Sequence, residues 1–407
     1  MFSTEWKPAS AQELGRMLTE NYSGSRSPLL PAGGRTSLHL SGPVPRESIL
    51  VQTSELNRTI DYPARDMTIT VEAGMRLEEL QEQLAQEQQR LPIDIPQQHR
   101  ATIGGAIASN TSGPGRFGYG TFRDYVIGIS AVDGQGRLFS AGGRVVKNVA
   151  GYDLCKLLTG SRGTLAVITQ VTLKLKPVVE CRRLVLISAP SISTMENLLE
   201  KLNTSETRPV VIDLLNPKAV GQVHREARLD LPVQEYLLCL GYEGNAETVR
   251  WELETVQREL SPFPTSNVAI FSGETADRFW QALTEYQAAS DDPLTFQVSV
   301  LPSRVTKIIE QAGVEGIAVQ AHAGNGILIG HLPDRCSDAP AASELLTRFK
   351  QTVNEHQGSF SLLNCDAEWK PQLMSFCTPV PELELHRRMK QAFDPANLLS
   401  PGRLWST

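Results

Sequence analysis

Apolar positions follow two rhythms along the chain, and the change from one to the other comes near Cys181. Before it, short β-rich runs alternate with glycine-rich turns. Ser48 to Thr53, Thr68 to Glu72, Val126 to Val132 and Thr164 to Leu175 read as strands. One helix stands clear among them. Met75 to Arg90 carries Leu77, Leu80 and Leu84 at helical spacing, with Glu and Gln on the opposite face, and it stops before Pro92.

After Cys181 the alternation is slower. Arg183 to Ser188, Val210 to Leu214, Leu237 to Tyr242, Val268 to Phe271, Phe296 to Val300, Ile317 to Ala321 and Ser359 to Leu363 read as strands. Between them run amphipathic helices over Met195 to Leu202, Glu247 to Leu260, Asp277 to Ala289 and Ala341 to His356. The series predicts an antiparallel sheet with helices on one face, in the manner of a duplicated ferredoxin-like unit, although no strict repeat marks a duplication. Phe393-Asp394-Pro395 to Pro401-Gly402-Arg403 is turn chemistry. The fold class is therefore α+β. Its boundaries fall at residues 1–23 (a leading segment), 24–180, 181–385 (an α+β cap) and 386–407, a last segment that returns to the first domain.

Composition narrows the function classes. The chain has 407 residues, 41% hydrophobic and 21% charged, which suits two or three globular domains. No window approaches the ~18 uncharged apolar residues of a membrane span. The start, Met1-Phe2-Ser3-Thr4-Glu5-Trp6-Lys7, lacks the cationic and apolar stretches of a signal peptide, so a cytoplasmic place is expected, with any membrane association peripheral and through partners. A net charge of -6 with dispersed Lys and Arg argues against nucleic acid. The six cysteines, at 155, 181, 239, 336, 365 and 377, have neither zinc nor iron–sulfur spacing and read as reduced thiols. Redox chemistry here would need an organic cofactor or a partner's metal.

Three constellations suggest such a cofactor. Pro31-Ala32-Gly33-Gly34-Arg35-Thr36-Ser37-Leu38 follows a short strand; two adjacent glycines let successive N–H groups converge, and the hydroxyls after them can donate to phosphate. By itself a Gly-Gly pair more often marks a hairpin. Thr102, Gly104, Gly105, Ala108, Ser109 and Asn110 form a run of small residues that lets backbone approach a flat ligand, or equally lets helices pack closely. Lys147-Asn148-Val149-Ala150-Gly151-Tyr152-Asp153 is followed by Gly160 to Ile168, where a strand after Gly163 could present Val167 and Ile168 to a ring. Arg116, Arg123 and Lys147 could balance the charge of a reduced cofactor or make surface ion pairs. A Rossmann site is excluded, because no Gly-x-Gly-x-x-Gly stands between a strand and a helix.

In this order the three constellations resemble the FAD-binding domain of the vanillyl-alcohol oxidase and p-cresol methylhydroxylase family. The resemblance covers about 150 residues. It implies FAD held between two α+β subdomains, with a cap over the flavin. Covalent members carry a histidine in the first turn where this chain has Arg35, so noncovalent FAD is expected. Within the family, the Lys147–Asp153 segment, the length and the ending Phe393 to Arg403 resemble the smaller FAD subunit of glycolate oxidases. That implies partners: a larger homologous FAD subunit, an iron–sulfur subunit, and glycolate or a similar small 2-hydroxy acid as substrate. A self-sufficient dehydrogenase using His322 or a cap tyrosine as base, and a non-catalytic assembly subunit, are the alternatives.

The resemblance also implies a metal site in active relatives, with a His-x-Gly-Asp-Gly-Asn-x-His run and a later Glu-His pair. Here the run reads His322-Ala323-Gly324-Asn325-Gly326-Ile327-Leu328-Ile329, so the first histidine is present and the second is Ile329. His331 lies two residues on, ~6.6 Å along a strand. Gly358 to Cys365 stands where the Glu-His pair would follow. No metal is expected, and His322 is read as structural or flavin-adjacent, satisfied by a neighbouring carbonyl. Relatives place an arginine after a cap-helix tryptophan; this chain has Trp280-Gln281 on what reads as an exposed amphipathic helix. Trp369, Phe376, Cys365 and Cys377 fit either core or partner surface.

Overall fold

A computed structural model of the chain describes residues 4–38, 40, 42, 45, 47–143, 152–288, 292–373, 376 and 383–403. It divides into two units. The first comprises residues up to Ser112, Thr121–Val178 and the chain from Pro379 onward; the second comprises Gly113–Gly120 and Val179–Thr378. Residues 4–23, read from sequence as a leading segment, are built into the first unit.

The first unit contains two main sheets, matching the two subdomains of the resemblance. Ile49–Gln52 lies between Thr4–Trp6 and Leu29–Ala32 in a parallel three-stranded sheet. Helix Ala11–Ser23 packs Leu14 and Leu18 into the core beside it. The reading by apolar rhythm passes over this helix because its buried stripe is narrow, but its start carries a side-chain cap. The Ser10 hydroxyl accepts the Glu13 N–H at 3.1 Å, and the Glu13 carboxylate reaches back past the cap to accept the Ala9 N–H at 2.8 Å. The second sheet is antiparallel, in the order Thr59–Asp61, Thr68–Glu72, Ala166–Lys174, Val126–Asp133, Leu138–Gly142. Helix Leu77–Gln86 buries Leu77, Leu80 and Leu84, the three leucines of the predicted stripe, and ends four residues early where Gln88 turns left-handed at φ 55°.

The end of the chain closes onto this unit. After helix Leu383–Phe393, the Leu29 N–H donates to the Leu398 carbonyl and the Ser400 N–H to the Leu29 carbonyl, both at 2.7 Å. Buried Lys390 donates to the carbonyls of Thr164 (2.7 Å) and Leu399 (2.6 Å) and to the Asp394 carboxylate (2.6 Å). That carboxylate also accepts the N–H groups of Leu398 and Leu399.

The second unit is built on eight antiparallel strands, and the duplication that sequence does not show is plain in their order. Cys181–Ala189, Val211–Leu215, Tyr236–Gly244 and Asn267–Ser272 lie side by side as fourth, first, third, second. Leu294–Ser299, Ala318–His322, Ile327–His331 and Ser359–Cys365 continue the sheet as second, third, first, fourth. Each half has the ferredoxin-like strand order, and the two second strands pair with each other through Asp213↔His322. Helices cover both faces, not one. Ile192–Leu202, Ala246–Leu260, Val305–Val314 and Ala339–Glu355 pack on the side of Val185 and Ile187. Pro217–Ala227 and Gly273–Glu285 pack on the side of Leu184 and Leu186. The reason is in the run Leu184-Val185-Leu186-Ile187, which is apolar on both sides of the strand and so requires two covers. Phe376 is core and Trp369 packs against it, which settles these two aromatics as interior; Cys377 lies outside the described residues. Among the described residues no helix is long and apolar enough to cross a membrane.

Candidate cofactor site

In the first unit the three turns meet. Pro31 to Leu38, then Thr102, Gly104, Gly105, Ala108 and Ser109, then Gly163, Val167 and Ile168 all line one cleft with about 690 Å³ of empty space. Asn110 stands apart from its wall, taking the left-handed C-cap of helix Ile103–Ser109 at φ 52°. Lys147 to Gly151 lie outside the described residues, and Tyr152 beyond them is exposed.

The glycines of the first turn are fixed by turn-to-turn contact. A Cβ on Gly34 would stand 1.6 Å from the Arg100 carbonyl oxygen, and one on Gly33 would stand 1.9 Å from Thr102 Oγ1. Neither has a positive φ, so the sequence argument from backbone freedom gives way to one from close approach. Thr102 begins the next helix, its hydroxyl accepting the Gly105 N–H at 3.4 Å. Gly105 is different in kind: a Cβ there meets only that hydroxyl, at 3.1 Å, and otherwise opens on the cleft. In the third turn Arg162 and Gly163 are both left-handed, at φ 55° and 69°.

Two cations on the wall were not read from sequence, Arg162 and Arg403. Among the described residues no acidic side chain lines the cleft. Arg35 is also on the wall, but its guanidinium is committed to Glu5 Oε1 (2.7 Å) and Gln52 Oε1 (3.2 Å). A basic, glycine-walled cleft bordered by an apolar strand at Val167 and Ile168 fits a dinucleotide with a flat ring. FAD held there would supply a hydride acceptor.

The second unit carries the residues tied to the implied metal site. Buried His322 places Nδ1 2.8 Å from Asp213 Oδ1, and Gln320 donates to Asp213 Oδ2 at 2.7 Å. Its neighbour is thus a carboxylate, where the sequence reading expected a carbonyl. Arg116 lies in this unit too; burial pulls its guanidinium below the usual arginine range, and the charge of Asp213 opposes the pull. Its Nε has no hydrogen-bond partner among the described residues. Arg123 is exposed, and Lys147 is outside the described residues. His331 sits at 2.5 Å from Asp292 and edge-on to Tyr286. Ile329 is buried, and Ile327 and Leu363 pack against the same apolar cluster. Among the described residues no three His, Cys, Asp or Glu side chains come together as a metal-ligand set.

The helix of Trp280 is less exposed than its sequence suggests: Trp280 is buried while Gln281 is exposed. A cation does face the indole, from another strand. The Arg182 guanidinium lies 4.3 Å over the ring, held by Glu243 (2.6 Å) and Asp277 (2.9 Å), and Glu243 also accepts the Tyr119 hydroxyl at 2.6 Å.

Comparison with known proteins accords with this geometry. Residues 6–142 match the model of the FAD binding domain, and residues 179–361 and 372–404 match that of the FAD linked oxidases, C-terminal domain. The chain is similar to the D-lactate dehydrogenase of Archaeoglobus fulgidus, 32% identical over 98% of this chain and 90% of that protein. It is similar to glycolate oxidase subunit GlcD of Bacillus subtilis (26%, covering 98% and 88%) and to glycolate oxidase subunit GlcE of Escherichia coli (26%, covering 94% and 93%). With both of its units matched, the chain belongs to the FAD-linked oxidases and is an FAD-dependent oxidoreductase.

Proposed function

We propose that this chain is the FAD-binding subunit of a complex that oxidises glycolate to glyoxylate, with substrate oxidation centred on a larger homologous flavoprotein and electrons passed to an iron–sulfur subunit. One observation carries the reading: a glycine-walled cleft that would suit the cofactor coexists with an apolar filling of the implied metal site. Ile329, at the place of the second histidine, is buried with Leu363 of the Glu-His stretch packed against the same cluster. A glycolate hydroxyl is hard to deprotonate near neutral pH without a Lewis acid or a placed base. Likeness to GlcE over most of both chains supports the subunit assignment.

A second reading, a self-sufficient 2-hydroxy-acid dehydrogenase, is favoured by the Asp213–His322 pair. The carboxylate on Nδ1 leaves Nε2 as a base, and no protein hydrogen bond to Nε2 is found among the described residues. Arg116 would then be the cation for a substrate carboxylate. Anaerobic mixing decides between them. The isolated, FAD-loaded chain should keep its flavin oxidised with glycolate or D-lactate, with or without added zinc or manganese, while the complex with the larger subunit bleaches. Rapid bleaching of the isolated chain, lost in His322→Asn, would replace the first reading with the second.

A further inference from the structure

The antiparallel sheet of the second unit has two ends, and they are built differently. One end is Ser359–Cys365, whose pairing with Leu294–Ser299 is interrupted by a register shift at Thr295/Phe296 and whose Phe360 and Leu362 are buried. A shift of that kind spoils a strand as a template for another chain. The other end is Asn267–Ser272, paired with Cys181–Ala189 without a shift from Ser188↔Asn267 to Arg183↔Ser272. No further strand lies beside it in the sheet, so one row of its N–H and C=O groups faces outward.

This edge lacks the features by which edge strands keep other chains away. From Ser261 to Gly273 the sequence has no charged residue, and the strand itself has no proline. Val268 is 43% exposed and Ile270 40%. The residues paired with them, Ile187 and Val185, are buried in the core on the side of helix Ala246–Leu260, so Val268 and Ile270 share that face, one strand beyond. A groove with about 510 Å³ of empty space runs beside them. Its walls carry Val185, Ile187, Val256, Leu260 and Val268 and, among the described residues, no charged side chain.

We infer that Asn267–Ser272 is a self-association edge, pairing antiparallel with the same strand of a second copy about a two-fold axis normal to the sheet. What singles out a second copy is the absence of charge. In a two-fold contact an ionic side chain near the axis comes close to its own like, so a self-pairing strand has to be neutral, whereas an unlike partner can answer a charge with its opposite. The side chains choose the register. Centred on Ala269, the pairing sets Val268 of each copy opposite Ile270 of the other, all on one face beside the two grooves; centred on Ile270, it would oppose Val268 to Ser272. The inference does not depend on which acid is the substrate.

The test is sedimentation velocity of the full-length, FAD-loaded chain over a dilution series. The wild type should sediment as a dimer that dissociates on dilution. Val268→Asp and Ile270→Lys should each raise the dimer Kd at least roughly tenfold, because like charges then meet diagonally across the axis. Both side chains are exposed, so circular dichroism and the melting temperature should stay close to those of the wild type. Mixed in equal amounts, the two variants should associate, since the register sets the aspartate of one opposite the lysine of the other. A wild type that stays monomeric at every concentration overturns the inference and leaves the edge to an unlike partner. A dimer that neither substitution weakens, or variants that stay apart when mixed, would overturn it as well.

Discussion

Gly105→Val separates a glycine that faces the cleft proposed for the cofactor from glycines that face the protein. In the apoprotein the substitution is mild. Gly105 is the third residue of helix Ile103–Ser109, where replacing glycine by a residue with a Cβ gains up to ~1 kcal/mol of helix propensity, less for valine than for alanine. Against this stands one contact, 3.1 Å from the Cβ to Thr102 Oγ1, which a small rotation relieves. The net change is within about 1 kcal/mol, a few degrees of melting temperature. With FAD the same side chain fills cleft that the ligand needs; overpacking costs about 1–3 kcal/mol, or roughly 5- to 150-fold in Kd. Gly34→Val reverses the pattern, since its Cβ collides with the Arg100 carbonyl before any ligand arrives. Melting of the two apoproteins by scanning calorimetry, and FAD titration by isothermal calorimetry, check both halves. FAD bound to Gly105→Val with wild-type affinity, or a wild-type melting temperature for Gly34→Val, would refute the assignment of the two glycines.

Noncovalent attachment is expected with Arg35 in the first turn, so FAD should leave on dialysis into chaotropic salt, and none should stay with acid-precipitated protein. Asp394→Ala strands buried Lys390 and frees the N–H groups of Leu398 and Leu399; it should cost about 3–5 kcal/mol of the first unit's stability in denaturant melts. Burial holds the Glu252 carboxyl above its usual range, opposed by the Arg208 N–H and charge, so the folded state binds the proton more tightly than the unfolded one. Stability through this group is therefore present in acid and lost as pH rises past the unfolded carboxylate range. Glu252→Gln, which can still accept the Arg208 N–H (2.9 Å), should melt higher than wild type at pH 7 and no higher in acid.

What could be read from sequence was local. The glycine turns announced themselves because close approach tolerates no side chain, and the strands because their alternation is set by neighbours two residues away. The partners that complete each site are distant. Asp213 meets His322 across 109 residues, and Arg403 meets Ser37 across 366, so no window of sequence joins them. Arg182 is similar: the cation that lies over Trp280 comes from the first strand of the second unit, far from it in the chain. Helix Ala11–Ser23 was legible in principle, since Ser10 and Glu13 spell a helix start, but a reading by apolar rhythm alone passes over it. Helix Pro217–Ala227 is announced by Asn216 and Pro217 as cap and first residue, yet its need for a second sheet face appears only once the sheet is assembled.

The bonds joining Leu29 to Leu398 and Ser400 have a consequence for the order of events in synthesis. Strand Leu29–Ala32 is translated before the second unit, but the backbone groups of Leu29 that bond to Leu398 and Ser400 wait for residues that follow it. The whole second unit is made in between. The nascent first unit must therefore persist with these groups of Leu29 unbonded while the second is made. A chain stalled before Leu398 would carry the glycine turns and still lack these bonds.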